Sequence, residues 1–147
     1  MKIKKILFPT DFSEAAEKAL QYALFLADSH DAELTILHVV DQLHGFDRYE
    51  ILVSTPQEIV ERMVEHAHQD LQVMVKRAKD TVAAKEIVRE GKTWDVICKT
   101  ATEENADIIV IASQGRTGLS NALIGSVAER VVRHASCPVL VVKYPTQ

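Results

Sequence analysis

Short apolar runs alternate with longer helical patterns along the whole chain. The runs consist mainly of Ile, Leu and Val without polar alternation, which is typical of strands buried on both faces of a sheet. Five such strands are predicted, at residues 3–8, 33–40, 83–88, 107–112 and 138–142. Apolar residues at helical spacing predict helices over 13–30, 57–79 and 95–104, and a last helix through Val127, Val131 and Val132. Residues 41–55 are predicted to form a loop.

This alternation predicts an α/β fold. Strands that are buried on both faces are parallel and covered by helices, and right-handed crossovers then give a doubly wound five-stranded sheet with helices on both faces. A chain of 147 residues suits one domain, 1–147. Because such sheets bind ligands beyond the C-terminal ends of their strands, the search for a site narrows to residues 9–13, 39–42, 90–93 and 112–126.

Composition excludes several classes of function. Lys and Arg number 17 against 21 Asp and Glu, for a net charge of −4, which argues against a nucleic-acid partner. No apolar run approaches the about 20 residues that a membrane span requires. The two cysteines, Cys98 and Cys137, form no CxxC pair and no metal-binding spacing. We therefore expect a reduced, cytoplasmic protein with no metal site of its own.

The segment from 112 to 127 is the strongest candidate for a ligand-binding site in the sequence. It contains three of the five glycines of the chain, Gly115, Gly118 and Gly125, between a strand and a helix. Small residues with free N–H groups before a helix can hold an anion, and Ser126 and Arg116 add a hydroxyl and a positive charge. The alternative is an ordinary strand-to-helix loop that needs glycine for its turn. The segment lacks both the P-loop and the GxGxxG pattern.

The same segment reads Ala112-x2-Gly115-x9-Gly125-Ser126, and it occurs together with characteristic sequences at residues 6–13, 37–40, 125–129 and 137–142. In these features nearly the whole chain resembles the universal stress protein family. The ATP-binding members of that family have G-x2-G-x9-G-[ST] after the fourth strand, so Ala112 stands in place of the first glycine. At positive φ its Cβ would cost about 1–2 kcal/mol, and at negative φ it is harmless.

The resemblance implies a strand order of 3-2-1-4-5 and an ATP site, with Mg²⁺ on the phosphates. It implies that the nucleoside lies against Pro9, Thr10, Asp11, the backbone of Val39, Ile111 and Ala112. It implies that the phosphates lie against Gly115, Arg116, Gly125, Ser126 and Val127. A homodimer is also implied, paired through residues 138–142, which would form an edge strand. The expected function is regulatory, with the nucleotide state read by a protein partner.

Several residues keep two interpretations. Asp11 could cap the first helix in a capping box with Glu14, or Ser13 could be the cap. His38 is expected to be a hydrogen-bonded core histidine, and Asp41 a solvated loop charge. No nucleophile, base and orienting residue stand together, so we expect no enzyme, with at most slow ATP hydrolysis. The alternative function is an interaction protein of the same family that binds no nucleotide.

Overall fold

The computed structural model describes residues 1–41, 55–115 and 124–144 of the chain. In chain order the elements are β1 (Lys5–Pro9), α1 (Glu14–His30), β2 (Glu33–Val40), α2 (Pro56–Ala78), β3 (Ala84–Glu90), α3 (Thr93–Glu103), β4 (Ile108–Ala112), α4 (Ser126–His134) and β5 (Val139–Val142). Every predicted strand and helix is present, with ends shifted by one or two residues in most cases. Almost all of the predicted loop at 41–55 lies outside the described residues.

The strands form one parallel sheet in the order β3-β2-β1-β4-β5, which confirms the order that the family resemblance implies. Residues 6–9 of β1 and 109–112 of β4 are all buried, as continuous apolar runs in a covered sheet should be. The predicted α/β fold with a doubly wound five-stranded sheet is therefore confirmed.

Each face of the sheet has its own apolar core. On one face α1 and α2 pack over side chains such as Ile6, Phe8 and Ile36. On the other face α3 and α4 pack over Leu7 and Leu37. Alternate strand residues point to opposite faces, so neighbouring positions such as Leu7 and Phe8 serve different cores.

Two of the helices, α1 and α2, begin at side-chain caps. Ser13 precedes α1 and accepts a hydrogen bond from the backbone N–H of Ala16. Thr55 precedes α2 and forms a capping box with Glu58, and Pro56 occupies the first turn, where its missing N–H costs nothing. None of the helices in the three described ranges combines the length and apolar character that crossing a membrane requires.

Candidate functional site

A crevice begins where β1 and β4 part. The ladder between these strands comprises only Ile6–Ile108 and Leu7–Ile109, whereas β1 stays paired with β2 as far as Pro9–Leu37. Proline has no N–H to donate to a ladder, which favours a strand end at Pro9. The order of the sheet reverses between β1 and β4, which is where doubly wound sheets bind ligands.

Four predicted site residues lie at this crevice by their position on the strands. Pro9 ends β1 and Thr10 follows it, while Ile111 and Ala112 end β4 beyond its pairing with β1. Ile111 and Ala112 are instead paired with Val141 and Val142 of β5. The crevice therefore has one wall from each of two strands that are far apart in sequence.

Ala112 is compatible with the glycine position that it occupies. It lies in an extended strand, and the non-glycine residues with positive φ in the described ranges are Phe12, Asp31 and Asn105. Its methyl group is buried in the core beneath α1 and α2. The backbone strain that a side chain would incur at positive φ therefore does not arise.

Thr10 follows the last residue of β1 and is itself buried. Its N–H donates to the carbonyl of Leu37 at 2.8 Å, and its hydroxyl oxygen accepts from the N–H of Phe12 at 3.0 Å. Its carbonyl accepts from Nδ1 of His38 at 2.7 Å. The predicted core histidine is thus partly buried and hydrogen-bonded, in a contact that the sequence pattern did not indicate.

Of the two caps considered for α1, the capping box of Asp11 with Glu14 is wrong and the cap at Ser13 is confirmed. Asp11 Oδ1 accepts a hydrogen bond from the N–H of Ser13 at 3.0 Å, which closes a turn before the helix. The cap itself is Ser13, whose hydroxyl oxygen accepts from the N–H of Ala16 at 3.1 Å. Asp11 lies two residues too early for the helix N–H groups, so it positions the turn and not the helix.

Asp11 and Gly115 bring the two loops of the crevice together. A Cβ atom added to Gly115 would lie 2.5 Å from Oδ2 of Asp11, closer than real Cβ contacts. Gly91 is the glycine with positive φ in the described ranges, so Gly115 is needed for close approach and not for its backbone angles. The carboxylate of Asp11 therefore lies directly against the backbone of the glycine-rich segment.

Gly125 joins that segment to α4. Its N–H donates to the carbonyl of Ser113 at 2.6 Å, and an added Cβ would lie 3.2 Å from the same carbonyl oxygen. The first helical bond runs from the N–H of Glu129 to the carbonyl of Gly125 at 3.0 Å, and no side chain caps the helix. The N–H groups of Ser126 and Val127 precede that bond and are the positive end of the helix.

The other residues considered from the sequence are Val39, Arg116 and Asp41. The side chain of Val39 is buried beneath α3 and α4, which leaves its backbone as the group that could meet a ligand. Arg116 lies outside the described residues. Asp41 accepts a hydrogen bond from the hydroxyl of Thr93 at 3.4 Å, and so it joins the end of β2 to α3. In the described part of the chain no three His, Cys, Asp or Glu side chains form a metal cluster.

The backbone of Val39 faces the crevice. The carbonyl of Leu37 faces β1, where it accepts from Thr10, and the carbonyl of Val40 faces β3, where it accepts from Gly91 at 3.0 Å. Because strand residues alternate, the N–H and carbonyl of Val39 face the side of β1, beyond its last paired residue. The crevice thus offers a backbone edge, a carboxylate and a helix N-terminus.

Sequence comparison places this chain among known proteins. The model of the universal stress protein family matches residues 2–143. The universal stress protein MJ0577 of Methanocaldococcus jannaschii is 34% identical over 153 aligned positions, covering 95% of this chain and 94% of that protein.

Structural comparison agrees. The solved structure of MJ0577 superposes with a TM-score of 0.88 at 34% identity and 100% coverage of both chains. The universal stress protein UspA of Lactobacillus plantarum gives a TM-score of 0.84 at 28% identity, over 97% of this chain and 99% of that one. A family protein of Arabidopsis thaliana, solved with AMP bound, shares the fold with a TM-score of 0.63 at 21% identity, over 97% and 92% of the two chains. The fold, the family model and these relatives together establish that this chain belongs to the universal stress protein family.

Proposed function

We propose that this protein binds ATP in the crevice between β1 and β4 and acts as a regulatory stress-response protein, a homodimer whose nucleotide state is read by partners. The observation that carries the proposal is the contact of Asp11 with Gly115 beside the N-terminus of α4. It brings an acceptor suited to a nucleoside to the glycine-rich segment that leads into an anion-binding helix N-terminus, and a nucleotide needs groups of both kinds.

The charges of Asp11 and of the N-terminus of α4 indicate how a nucleotide would be oriented in the crevice. The carboxylate of Asp11 would repel phosphate but accept hydrogen bonds from a ribose hydroxyl or the adenine amino group. The nucleoside is therefore proposed to lie at the end of the crevice where Asp11 is. The N–H groups of Ser126 and Val127 favour the phosphates because they form the positive end of α4. The backbone edge of Val39 suits the donor and acceptor edge of adenine. Bound Mg²⁺ would neutralise phosphate charge, and Arg116 is proposed to add a positive charge there.

Two further observations support an adenine nucleotide. The same fold carries AMP in the Arabidopsis protein, which shows that this architecture accommodates such a ligand. The glycines of this chain also let the groups of the site pack closely, since added Cβ atoms would lie 2.5 Å from Oδ2 of Asp11 at Gly115 and 3.2 Å from the carbonyl oxygen of Ser113 at Gly125.

We propose that the site binds ATP and does not catalyse its rapid hydrolysis. The Oδ1 atom of Asp11 is held by the N–H of Ser13, and Nδ1 of His38 is held by the carbonyl of Thr10. These contacts suit side chains that fix geometry. We therefore expect ATP hydrolysis to be slow at most.

The homodimer is proposed to form through residues 138–142. β5 is the last strand of the sheet order, so one of its edges has no partner strand within the described chain. A two-fold axis would pair that edge with its own copy in antiparallel fashion. A cytoplasmic location remains our expectation for such a protein.

Calorimetry with ATP, ADP and AMP tests the proposal, using the wild type and Gly125→Val. Valine at Gly125 would extend beyond a Cβ that is already 3.2 Å from the carbonyl of Ser113, so we expect loss of ATP binding with an unchanged far-UV circular dichroism spectrum. Ser136→Val, at an exposed position past the other end of α4, is the control and should bind normally.

Each contrary result has its own meaning. Retained ATP affinity in Gly125→Val would place the phosphates elsewhere. A wild-type protein that binds none of the three nucleotides would favour the interaction protein without a ligand. Steady release of phosphate from ATP would overturn the binding-only assignment.

A further inference from the structure

The backbone ladder between β1 and β2 stops one bond early. In a regular parallel ladder the bond from the N–H of Thr10 to the carbonyl of Leu37 would be followed by one from the N–H of Val39 to the carbonyl of Thr10. The pairing ends instead at Pro9–Leu37. The carbonyl of Thr10 accepts from the side chain of His38 at 2.7 Å.

The hydrogen bond between His38 and the carbonyl of Thr10 shows which ring nitrogen carries a proton. A backbone carbonyl can only accept, so Nδ1 of His38 carries the proton. The imidazole ring also packs against Phe12, with ring centroids 4.7 Å apart and an angle of 36° between the rings. Phe12 has φ of 65°, a conformation that is rare for a bulky side chain and persists only where its surroundings hold it. His38 therefore contacts both ends of the turn that contains Asp11.

We propose that His38 is a positioning residue for nucleotide binding. It holds the Thr10 carbonyl away from the N–H of Val39, which leaves that N–H to the ligand, and it fixes the turn that directs Asp11 toward Gly115. This inference rests on the proposed function, because it assigns a task to a side chain that serves the same site. His38 itself contacts no ligand in this account.

Three variants distinguish the loss of the hydrogen bond from the loss of the imidazole ring. His38→Leu removes the donor. His38→Asn keeps an N–H donor near the position of Nδ1, whereas His38→Gln places its amide nearer the position of Nε2. The control is His68→Leu, the same substitution on α2, where the side chain is 50% exposed.

The measurements are ATP affinity by calorimetry, unfolding in urea, and hydrogen exchange of the Val39 amide. Loss of one hydrogen bond predicts an ATP affinity about three- to tenfold weaker in His38→Leu and His38→Gln. His38→Asn should stay within about twofold of the wild type, as should His68→Leu. The Val39 amide should exchange freely in the wild type until ATP is added, and should already be protected in His38→Leu without ATP.

The outcomes distinguish this inference from the proposed function. If the wild type binds ATP and His38→Leu and His38→Gln bind it equally well, the role of His38 is wrong and the site remains. A Val39 amide that is protected in the ligand-free wild type would also overturn the inference. If the wild type binds no nucleotide, the proposed function fails and the positioning role fails with it. Should His38→Leu unfold, the comparison of His38→Asn with His38→Gln decides the question.

Discussion

Replacing Gly115 with alanine should displace the carboxylate of Asp11. The new Cβ atom would lie 2.5 Å from Oδ2, nearly an ångström short of the 3.4 Å at which ordinary contact begins. Asp11 can relieve this clash by rotating away, but its Oδ1 then leaves the N–H of Ser13, to which it is bonded at 3.0 Å. The substitution therefore acts on the β1–α1 turn through a contact between the two loops.

The size of the effect follows from that hydrogen bond. A bond to a charged group contributes about 1.5–3 kcal/mol, and Asp11 is only partly buried, so we expect Gly115→Ala to lower the free energy of unfolding by about 1.5 kcal/mol. If Asp11 contacts the nucleoside as proposed, ATP affinity should fall by about tenfold as well, because the displaced carboxylate would no longer reach it.

A double-mutant cycle with Asp11→Ala identifies the cause. Without the carboxylate the added methyl group has nothing to displace, so Gly115→Ala should cost much less stability in the Asp11→Ala background. The assay is urea unfolding of the four proteins, with ATP calorimetry on each. Additive losses of stability in the cycle would refute the reasoning, since they would show that the methyl group introduced at Gly115 and the carboxylate of Asp11 do not meet.

Three other variants test separate features. Ala112→Gly should leave ATP affinity unchanged or improve it in calorimetry, because the backbone there is extended and the methyl group packs into the core; a marked loss would show that the methyl group contacts the ligand. The carbonyl of Val142 faces β4, and neighbouring strand residues direct their backbone groups to opposite edges, so the N–H of Val141 points to the open edge of β5. Val141→Pro removes that N–H. Light scattering should then detect monomers, and an unchanged dimer mass would place the interface elsewhere. Hydrogen bonds from the N–H groups of Lys4 and Lys5 lower the pKa of Asp107, so its stabilisation is present above about pH 4 and is lost as the pH falls through the lower folded value. Urea unfolding of Asp107→Asn should show a weaker acid dependence than the wild type, and equal dependence would contradict this.

The layers of the fold follow from local sequence. Runs such as Ile108–Ala112 can be buried on both sides only between two layers of helices, so the pattern is sufficient to predict a covered parallel sheet. The spacing of Gly115 and Gly125 after such a run was likewise sufficient to locate the glycine-rich segment at the end of β4. The strand order came from the family resemblance, since periodicity does not reveal which strands are neighbours.

The sequence by itself determined where strands, helices and small residues lie, because hydrophobic periodicity and glycine spacing are properties of neighbouring positions. Only the tertiary structure decided how those positions serve the crevice. Asp11 meets Gly115, and His38 meets the carbonyl of Thr10, through the pairing of β1 with β2 and β4. Both contacts depend on strand register and on the direction of individual polar groups, and these are set by packing between distant segments of the chain.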